Sequence, residues 1–434
     1  MSRRLLWVLP KWPLPAIDGS RRATVSLVRK LVHLGDTVDL LAIVNPLEPI
    51  DLAQARNELG VSRIFVLTQS CRSRAKFKEL FCLAKSWLAN PRLPLTMRYY
   101  SSGALRRSFE GILIQHHFPG QGGYSNGSAA EGAAEPWDAV VFEGPHAAVP
   151  TLRSGVCEPP SGVRVVYRAQ NCESSLWESK KALVRGAWRL LVGYQTACMH
   201  DFEKRLVQSC QGVAAVSEED LTALMALADG EGSVRPIGEV VPVGYEGQAA
   251  PLARKAGCEQ VMFLGRLDWY PNRDGLIWFL KEVWPRVQQL RPSLQVAIAG
   301  SGDYTPLKPY LSGAGIRFLG QVEDLEALYA DSLATLVPVF YGGGTRVKVI
   351  EACWHGVPCV STALGVQGVG LAAAESYFGA ERVEDWVGLL TGLMVERSEA
   401  VGRAAYQAVR EKFSALVAAK RFQSLIERIM VQGR

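Results

Sequence analysis

Short apolar runs alternate with segments whose apolar residues recur every three or four positions, and this alternation continues along nearly the whole chain. Runs of four to seven apolar residues bounded by turn residues predict buried parallel strands, and the three-to-four spacing predicts helices packed on them. Strands are expected at 5–9, 38–44, 63–67, 139–142, 163–167, 212–216 and 240–243. A second series is expected at 261–264, 295–299, 316–319, 334–338 and 358–361. Helical spacing covers 20–34, one long stretch at 176–208, then 275–290, 325–330, and late helices from about 383 onward. His33 and His355 stand just before Gly35 and Gly356 and read as helix ends. Alternating strands and helices predict an α/β architecture with parallel sheets.

The polar, glycine-containing stretch 244–257 reads as a linker between two α/β units of similar kind. The expected domains are 1–245, 258–410, and a C-terminal helix at 411–434 that packs back on the first. Residues 119–135 are rich in Gly, Ser and Ala, and read as a loop insertion within the first domain. A chain of 434 residues is too long for one ordinary core, which agrees with two domains.

Composition narrows the class. Hydrophobic residues at 48% and charged residues at 21% are ordinary for a globular protein. Nine cysteines, an odd number with no C-x-x-C pair, support neither a zinc site nor a secreted disulfide framework, so a reducing cytoplasm is the expected setting. The run 5–9 is too short for a signal-peptide core, and no apolar run is long enough to cross a bilayer. The net charge of +6 is uneven, because residues 51–100 hold nine Lys/Arg against three Asp/Glu. Within that window, 72–88 mixes basic and apolar residues at near-helical spacing. It reads as a helix with one face on the core, and offers a peripheral contact with the inner face of an anionic membrane. No aromatic-basic platform or motif points to nucleic acid.

The most informative stretch is Phe340-Tyr-Gly-Gly-Gly-Thr-Arg-Val-Lys-Val-Ile-Glu351-Ala352. A strand ends at three glycines and a helix follows, carrying Arg346, Lys348 and Glu351. Glycines let backbone N–H groups approach a ligand, and a helix N-terminus favours phosphate. Arg and Lys add full charges, and a carboxylate further along can accept hydrogen bonds from sugar hydroxyls. Three other turns also follow strands: Gly265-Arg266-Leu267-Asp268, Gly300-Ser301-Gly302-Asp303 and Gly320-Gln321-Val322. Open α/β sheets bind ligands at this carboxyl edge.

In these motifs and their order, residues 263–370 resemble the donor-binding half of GT-B glycosyltransferases of family 4. The resemblance rests on Gly265-Arg266, Pro271-Asn272, Gly300-Ser-Gly302, Gly320-Gln-Val322, the glycine loop through Glu351-Ala352, and Gly356-Val-Pro358. More loosely, Asp18-Gly19, Arg168-Ala-Gln170-Asn171-Cys-Glu173 and Val216-Ser217-Glu218 are similar to the family's first domain.

The resemblance implies two Rossmann-like domains facing a central cleft. It implies transfer of a hexose-type sugar, with retention, from a nucleotide-diphosphate sugar to a lipid-linked or polysaccharide acceptor. It implies no metal and no cofactor beyond the donor. Arg266 and Lys348 would meet the diphosphate, with Arg346 a third cation. The N–H groups of Gly343, Gly344 and Thr345 would face phosphate or sugar, Glu351 the ribose, Val322 the base, and Gly19 the diphosphate. Glu143 stands near the position where relatives carry a catalytic histidine, and His146 follows three residues later. The pattern departs at Gly343, where a glutamate is common. That departure admits a second reading, a catalytically inactive GT-B protein that senses sugar nucleotides or serves as an assembly partner. A third is a sugar-phosphate or nucleotide-sugar epimerase on a similar two-domain frame. The first turn lacks G-x-G-x-x-G, which disfavours a dinucleotide-dependent dehydrogenase.

Overall fold

The protein is described from a computed structural model. The described residues are 2–16, 19–69, 76–117, 136–153, 156–157, 163–184, 186, 188–229, 235–246, 250–255, 257–322, 324–342 and 346–432. They form two compact units. The first comprises 1–244 with 418–434, and the second comprises 245–417. Each is a parallel sheet flanked by helices.

The sheet of the first unit contains β1 (Arg4–Leu9), β2 (Thr37–Val44), β3 (Ile64–Thr68), β4 (Ala139–Glu143), β5 (Val165–Ala169), β6 (Gly212–Ala215) and β7 (Ile237–Val240). Their order is β3-β2-β1-β4-β5-β6-β7. All neighbours are parallel. Both faces of the inner strands are covered, which is why those strands read as continuous apolar runs rather than alternating ones. Leu6, Val8, Val140 and Tyr167 pack into one core, and Leu5, Trp7, Val141 and Val166 into the other. The second core is completed by Ala418, Phe422, Leu425 and Ile426 of the C-terminal helix Ala415–Gln432.

The second unit contains β8 (Gln260–Leu264), β9 (Gln295–Ala299), β10 (Ile316–Gly320), β11 (Thr335–Val337), β12 (Cys359–Ser361) and the short β13 (Phe378–Gly379). Their order is β10-β9-β8-β11-β12-β13. In both sheets the chain runs outward to one side and then returns to build the other, so the direction of winding reverses beside β1 and β8. The crevice at such a reversal is where doubly wound sheets place ligands.

The structure corrects several expected elements. The single helix at 176–208 is two, Glu173–Leu183 and Trp188–Ser209. Gly186 between them has φ of 67°, a left-handed conformation that no continuous helix accommodates. The strand expected at 240–243 is Ile237–Val240, since Pro242 has no N–H for the ladder. The helix expected from 275 begins at Tyr270, with Pro271 in its first turn. A π turn at Phe279–Val283 then lets Pro285 follow without breaking the rod, with the Trp284 N–H donating to the Phe279 carbonyl. The helices Leu52–Leu59 and Gly103–His117 were not expected, being amphipathic segments too weakly periodic to read. The insertion expected at 119–135 lies outside the described residues.

One contact between helix and sheet is unusually close. A Cβ at Gly275 would lie 1.6 Å from the carbonyl oxygen of Pro338. Gly275→Ala is therefore expected to destabilise the second unit by about 3 kcal/mol through overpacking against backbone that cannot yield. Chemical denaturation followed by circular dichroism measures this, with Gly111→Ala, which meets nothing within 4 Å, as the control.

Candidate functional site

In the second unit, three loops gather at the carboxyl edge of the sheet. The Gly265 N–H donates to Ala299 O (3.2 Å), Leu267 N–H to Ser301 O (2.8 Å), and Gly300 N–H to Gly320 O (2.7 Å). These bonds tie the turns after β8, β9 and β10 into one surface. The helix Val347–Trp354 enters beside them, with Arg346 at its N-cap rather than inside it as expected.

Lys348 occupies the first turn of that helix. Its Nζ donates to Asn272 Oδ1 at 2.8 Å and lies 4.8 Å from the centre of the Phe263 ring. Asn272 Nδ2 in turn donates to the carbonyl of Arg266 at 3.1 Å. One amide thus joins the loop after β8 to the helix after β11, across the reversal in winding. Burial, with a contribution from Arg346, pushes the Lys348 ammonium down to about 7. A desolvated ammonium of this kind gains most from an anion placed against it.

Arg346 is buried. Its Nη2 donates to Gly342 O at 2.7 Å and its Nε to Leu364 O at 3.3 Å. It therefore holds the glycine loop by its backbone while placing a cation beside Lys348. Arg266 is two-thirds exposed and forms a two-pronged pair with Asp268, at 3.0 and 2.6 Å. That pairing holds the Asp268 carboxyl below its usual range. Glu351 is buried one turn below Lys348 on the same helix face. Val322 packs against the core of this unit in the turn after β10. Arg266, Arg346, Lys348 and Glu351 all lie on this edge of the second unit. Gly343, Gly344 and Thr345 lie outside the described residues. Asn272 stands in the Pro271-Asn272 motif, but its linking role is not legible there, because it requires a contact across 76 positions.

The first unit carries its own cavity, about 310 Å³, at the carboxyl ends of β1, β4 and β5. Pro10 and Lys11 line it after β1, Glu143 and His146 after β4, Gln170 after β5, and Ser20 from the helix Gly19–His33. Gly19 is the first residue of that helix, and Asp18 lies outside the described residues. Glu143 is held from three sides. Trp7 Nε1 donates to its Oε2 at 2.9 Å, Gln170 Nε2 to its Oε1 at 2.5 Å, and Arg168 Nη1 lies 3.5 Å from Oε1. Arg168 is wholly buried, and among the described residues no hydrogen-bond partner meets its Nε or Nη2. His146 follows in a four-residue helix after Gly144, and its Nε2 is 3.2 Å from Thr96 Oγ1. Burial pushes its imidazole down to about 4, so it is neutral at physiological pH.

Glu173 completes the lining. Burial, then Glu203 and Asp220, push its carboxyl up to about 7. Glu203 accepts the Glu173 and Ser174 N–H groups at 3.0 and 2.8 Å, and so caps the helix Glu173–Leu183 from a distant residue. The cavity lining therefore holds both a firmly bonded carboxylate and a carboxyl that exchanges its proton near neutral pH. Such a pair offers both an acceptor and a donor to a hydroxyl-bearing ligand. The motif Arg168–Glu173, which the sequence offers only as a family likeness, supplies Arg168 and Gln170 to Glu143 and Glu173 to the lining.

Comparison with known proteins adds to this geometry. Residues 258–388 match the family of glycosyl transferases group 1. This region contains the Arg266–Asn272–Lys348 cluster and Glu351, so the group 1 match and the assembled edge coincide. An uncharacterized 44.6 kDa protein in the cps region of Klebsiella pneumoniae is 32% identical over 118 residues, 25% of this chain and 30% of that protein. The chain thus aligns with less than a third of that relative's length.

Over the full chain, the fold is that of solved GT-B glycosyltransferases. Sucrose-phosphate synthase from Thermosynechococcus elongatus aligns over 100% of both chains (TM-score 0.62, 14% identity). TarM aligns over 98% of this chain and 99% of its own (TM-score 0.63, 10% identity). HepE of Anabaena, solved with UDP and glucose, aligns over 98% and 100% (TM-score 0.56, 11% identity). The two parallel sheets expected from the strand pattern are therefore two Rossmann-like domains, as the resemblance implied. No described helix is long and apolar enough to cross a membrane.

Proposed function

We propose that the protein is a retaining glycosyltransferase that moves a hexose-type sugar from a nucleotide-diphosphate sugar to a lipid-linked or polysaccharide acceptor. The observation that carries this reading is the Lys348–Asn272–Arg266 link at the reversal of the second sheet. It lies inside the region matched to glycosyl transferases group 1. Lys348, Arg346 and Arg266 supply the charge a diphosphate requires, so the proposal invokes no metal. Arg266 meets the phosphate by exchanging Asp268 for it. Glu351, buried one turn below Lys348, receives the ribose, and the backbone near Val322 the base. Glycine-loop N–H groups, including those of Gly343, Gly344 and Thr345, complete the phosphate cradle.

In the first unit, the cavity of Glu143, His146 and Glu173 receives the acceptor hydroxyl, and Gly19 opens the backbone toward the diphosphate. The HepE structure with UDP and glucose supports the donor class, and a relative in a cps region supports a polysaccharide role. The setting we propose is the cytoplasmic side of a membrane that bears the acceptor, contacted through the basic segment 72–88, of which 72–75 lie outside the described residues.

Thermal-shift measurements against UDP-, GDP- and ADP-sugars test the donor class. One nucleotide series is expected to raise the melting temperature, and Glu351→Ala is expected to abolish the shift while the protein stays folded. An unchanged shift in Glu351→Ala would remove that residue from the site.

A further inference from the structure

We infer that Tyr245, the first residue of the second unit, is a positioning residue for the anion site: its hydroxyl sets the place of the helix turn that carries Lys348. The inference rests on the donor-site reading above. It extends that reading to a residue the sequence offers only as linker.

The chain enters the second unit at Tyr245 and leaves it at Val417. The entering segment does more than connect. On either side of 247–249, which lie outside the described residues, it meets the helix Val347–Trp354. At the amino end, Tyr245 Oη donates to the carbonyl of Val347 at 3.2 Å. Val347 opens that helix, and Lys348 is the next residue. About two turns further on, Trp354 sets its ring 5.9 Å from the Tyr245 ring. Just past the helix, the Leu252 N–H donates to His355 O at 3.1 Å, and Arg254 Nη2 donates to Gly356 O at 2.6 Å. A Cβ at Gly356 would lie 2.4 Å from the Pro251 Cβ, so the segment and the helix end are in direct contact there.

Tyr245 is itself fixed by its backbone. Its N–H donates to Phe413 O at 2.7 Å, and its carbonyl accepts the Ala415 N–H at 2.9 Å. The entering chain is thus pinned to the chain about to leave, at a parallel bridge between Tyr245 and Ser414. The ring is half-buried and packs on the core that contains Val349, Ile350 and Trp354 of the same helix.

This arrangement acts on Lys348 in particular. A carbonyl in the first turn of a helix already serves the N–H four residues on, and its second lone pair is free for another donor. The Tyr245 hydroxyl therefore adds nothing to the helix ladder; it fixes where the first turn sits. The turn is held from two sides, by Tyr245 through its backbone and by Asn272 through the Lys348 side chain at 2.8 Å. A displacement of about 1 Å would carry Nζ beyond hydrogen-bond distance of Asn272. It would also open the desolvated ammonium to water. A shift of the chain where it enters the unit is thereby felt at Lys348 through two bonded residues, without passing through the sheet.

The test uses the full chain and inorganic pyrophosphate, which carries the charge common to every nucleotide-diphosphate donor whatever its base or sugar. Tyr245→Phe keeps the ring and its packing and deletes only the hydroxyl, so it should fold with an unchanged circular dichroism spectrum. Calorimetric titration at pH 6, where Lys348 is charged, should show at least about a threefold loss of pyrophosphate affinity, the effect of one neutral hydrogen bond. A second measurement needs no ligand. The Lys348 ammonium is followed by NMR of ε-carbon-labelled lysine, its signal assigned by its absence in Lys348→Met. It should titrate at higher pH in Tyr245→Phe than in the wild type, because water reaches it. Equal pyrophosphate affinity in wild type and Tyr245→Phe would overturn the inference. So would a lower affinity with the Lys348 titration unmoved, which would make Tyr245 a structural support only. A wild-type protein that binds no pyrophosphate would overturn the donor-site reading itself, so the two failures are told apart.

Discussion

Lys348→Ala is expected to lower nucleotide-sugar affinity by about 30- to 100-fold, the loss of one charge-assisted hydrogen bond worth about 2–3 kcal/mol. The protein should remain folded, because the substitution deletes a desolvated ammonium rather than a packing element. The same lysine predicts a pH dependence. Its folded-state value is about 7, against 10.5 for the unperturbed side chain. A diphosphate binds the charged form, so affinity should fall as pH rises above about 7, with one proton taken up on binding. The stability of the unliganded protein should move the other way. Between about pH 7 and 10.5 the unfolded chain holds a proton at this position that the folded chain has lost, so this lysine's contribution makes stability rise with pH across that window. Calorimetric titration at pH 6.5 and 8.5 measures the first and urea unfolding without ligand at pH 7 and 9 the second, each with Lys348→Met as the reference lacking the titrating group. A pH-independent affinity that Lys348→Ala leaves unchanged would remove this residue from the anion site.

Arg168→Met is expected to cost about 3–5 kcal/mol of stability, more than any surface substitution in the first unit. The Glu143 side chain is 5% exposed and that of Arg168 is wholly buried. Removing the guanidinium leaves a buried carboxylate with no compensating charge, although Trp7 and Gln170 still donate to it. The double variant Arg168→Met/Glu143→Gln should therefore recover most of the loss, because no charge remains to bury. Urea unfolding of the four proteins in this cycle gives the coupling directly. If the two single losses simply add in the double variant, the pair is not coupled and Arg168 has another role.

What was legible in the sequence follows from which interactions are local. The central strands of both sheets could be read because each is buried on two faces and so forms a continuous apolar run, whereas the edge strands are only partly buried: β7 was expected three residues too late and β13 was not expected. The helix after the glycine loop was readable from its spacing, with Lys348 and Glu351 on it, but the face they share became visible only in the structure. Boundaries were lost where a single residue overrides the pattern: Gly186 splitting one helix, Pro242 ending a strand early, and Pro285 forcing a π turn. The site's connectivity was not readable at all. Glu143 and Arg168 meet because the parallel register of β4 and β5 sets them side by side, and nothing within either strand encodes that register. The neutral state of His146 and the raised carboxyl of Glu173 arise from burial by distant segments. The exposure of Trp188 was invisible for the converse reason, since an apolar residue at helical spacing reads as core until its neighbours are placed.

The most direct test of the central claim is nucleotide release. The purified protein is incubated with UDP-, GDP- and ADP-sugars without acceptor, and free nucleoside diphosphate is followed over hours. Slow release from one donor series, lost in Lys348→Ala, is the predicted result. Tight binding of a donor with no release, even after a membrane extract is added as a source of acceptor, would contradict the claim and favour a protein that senses sugar nucleotides without turning them over.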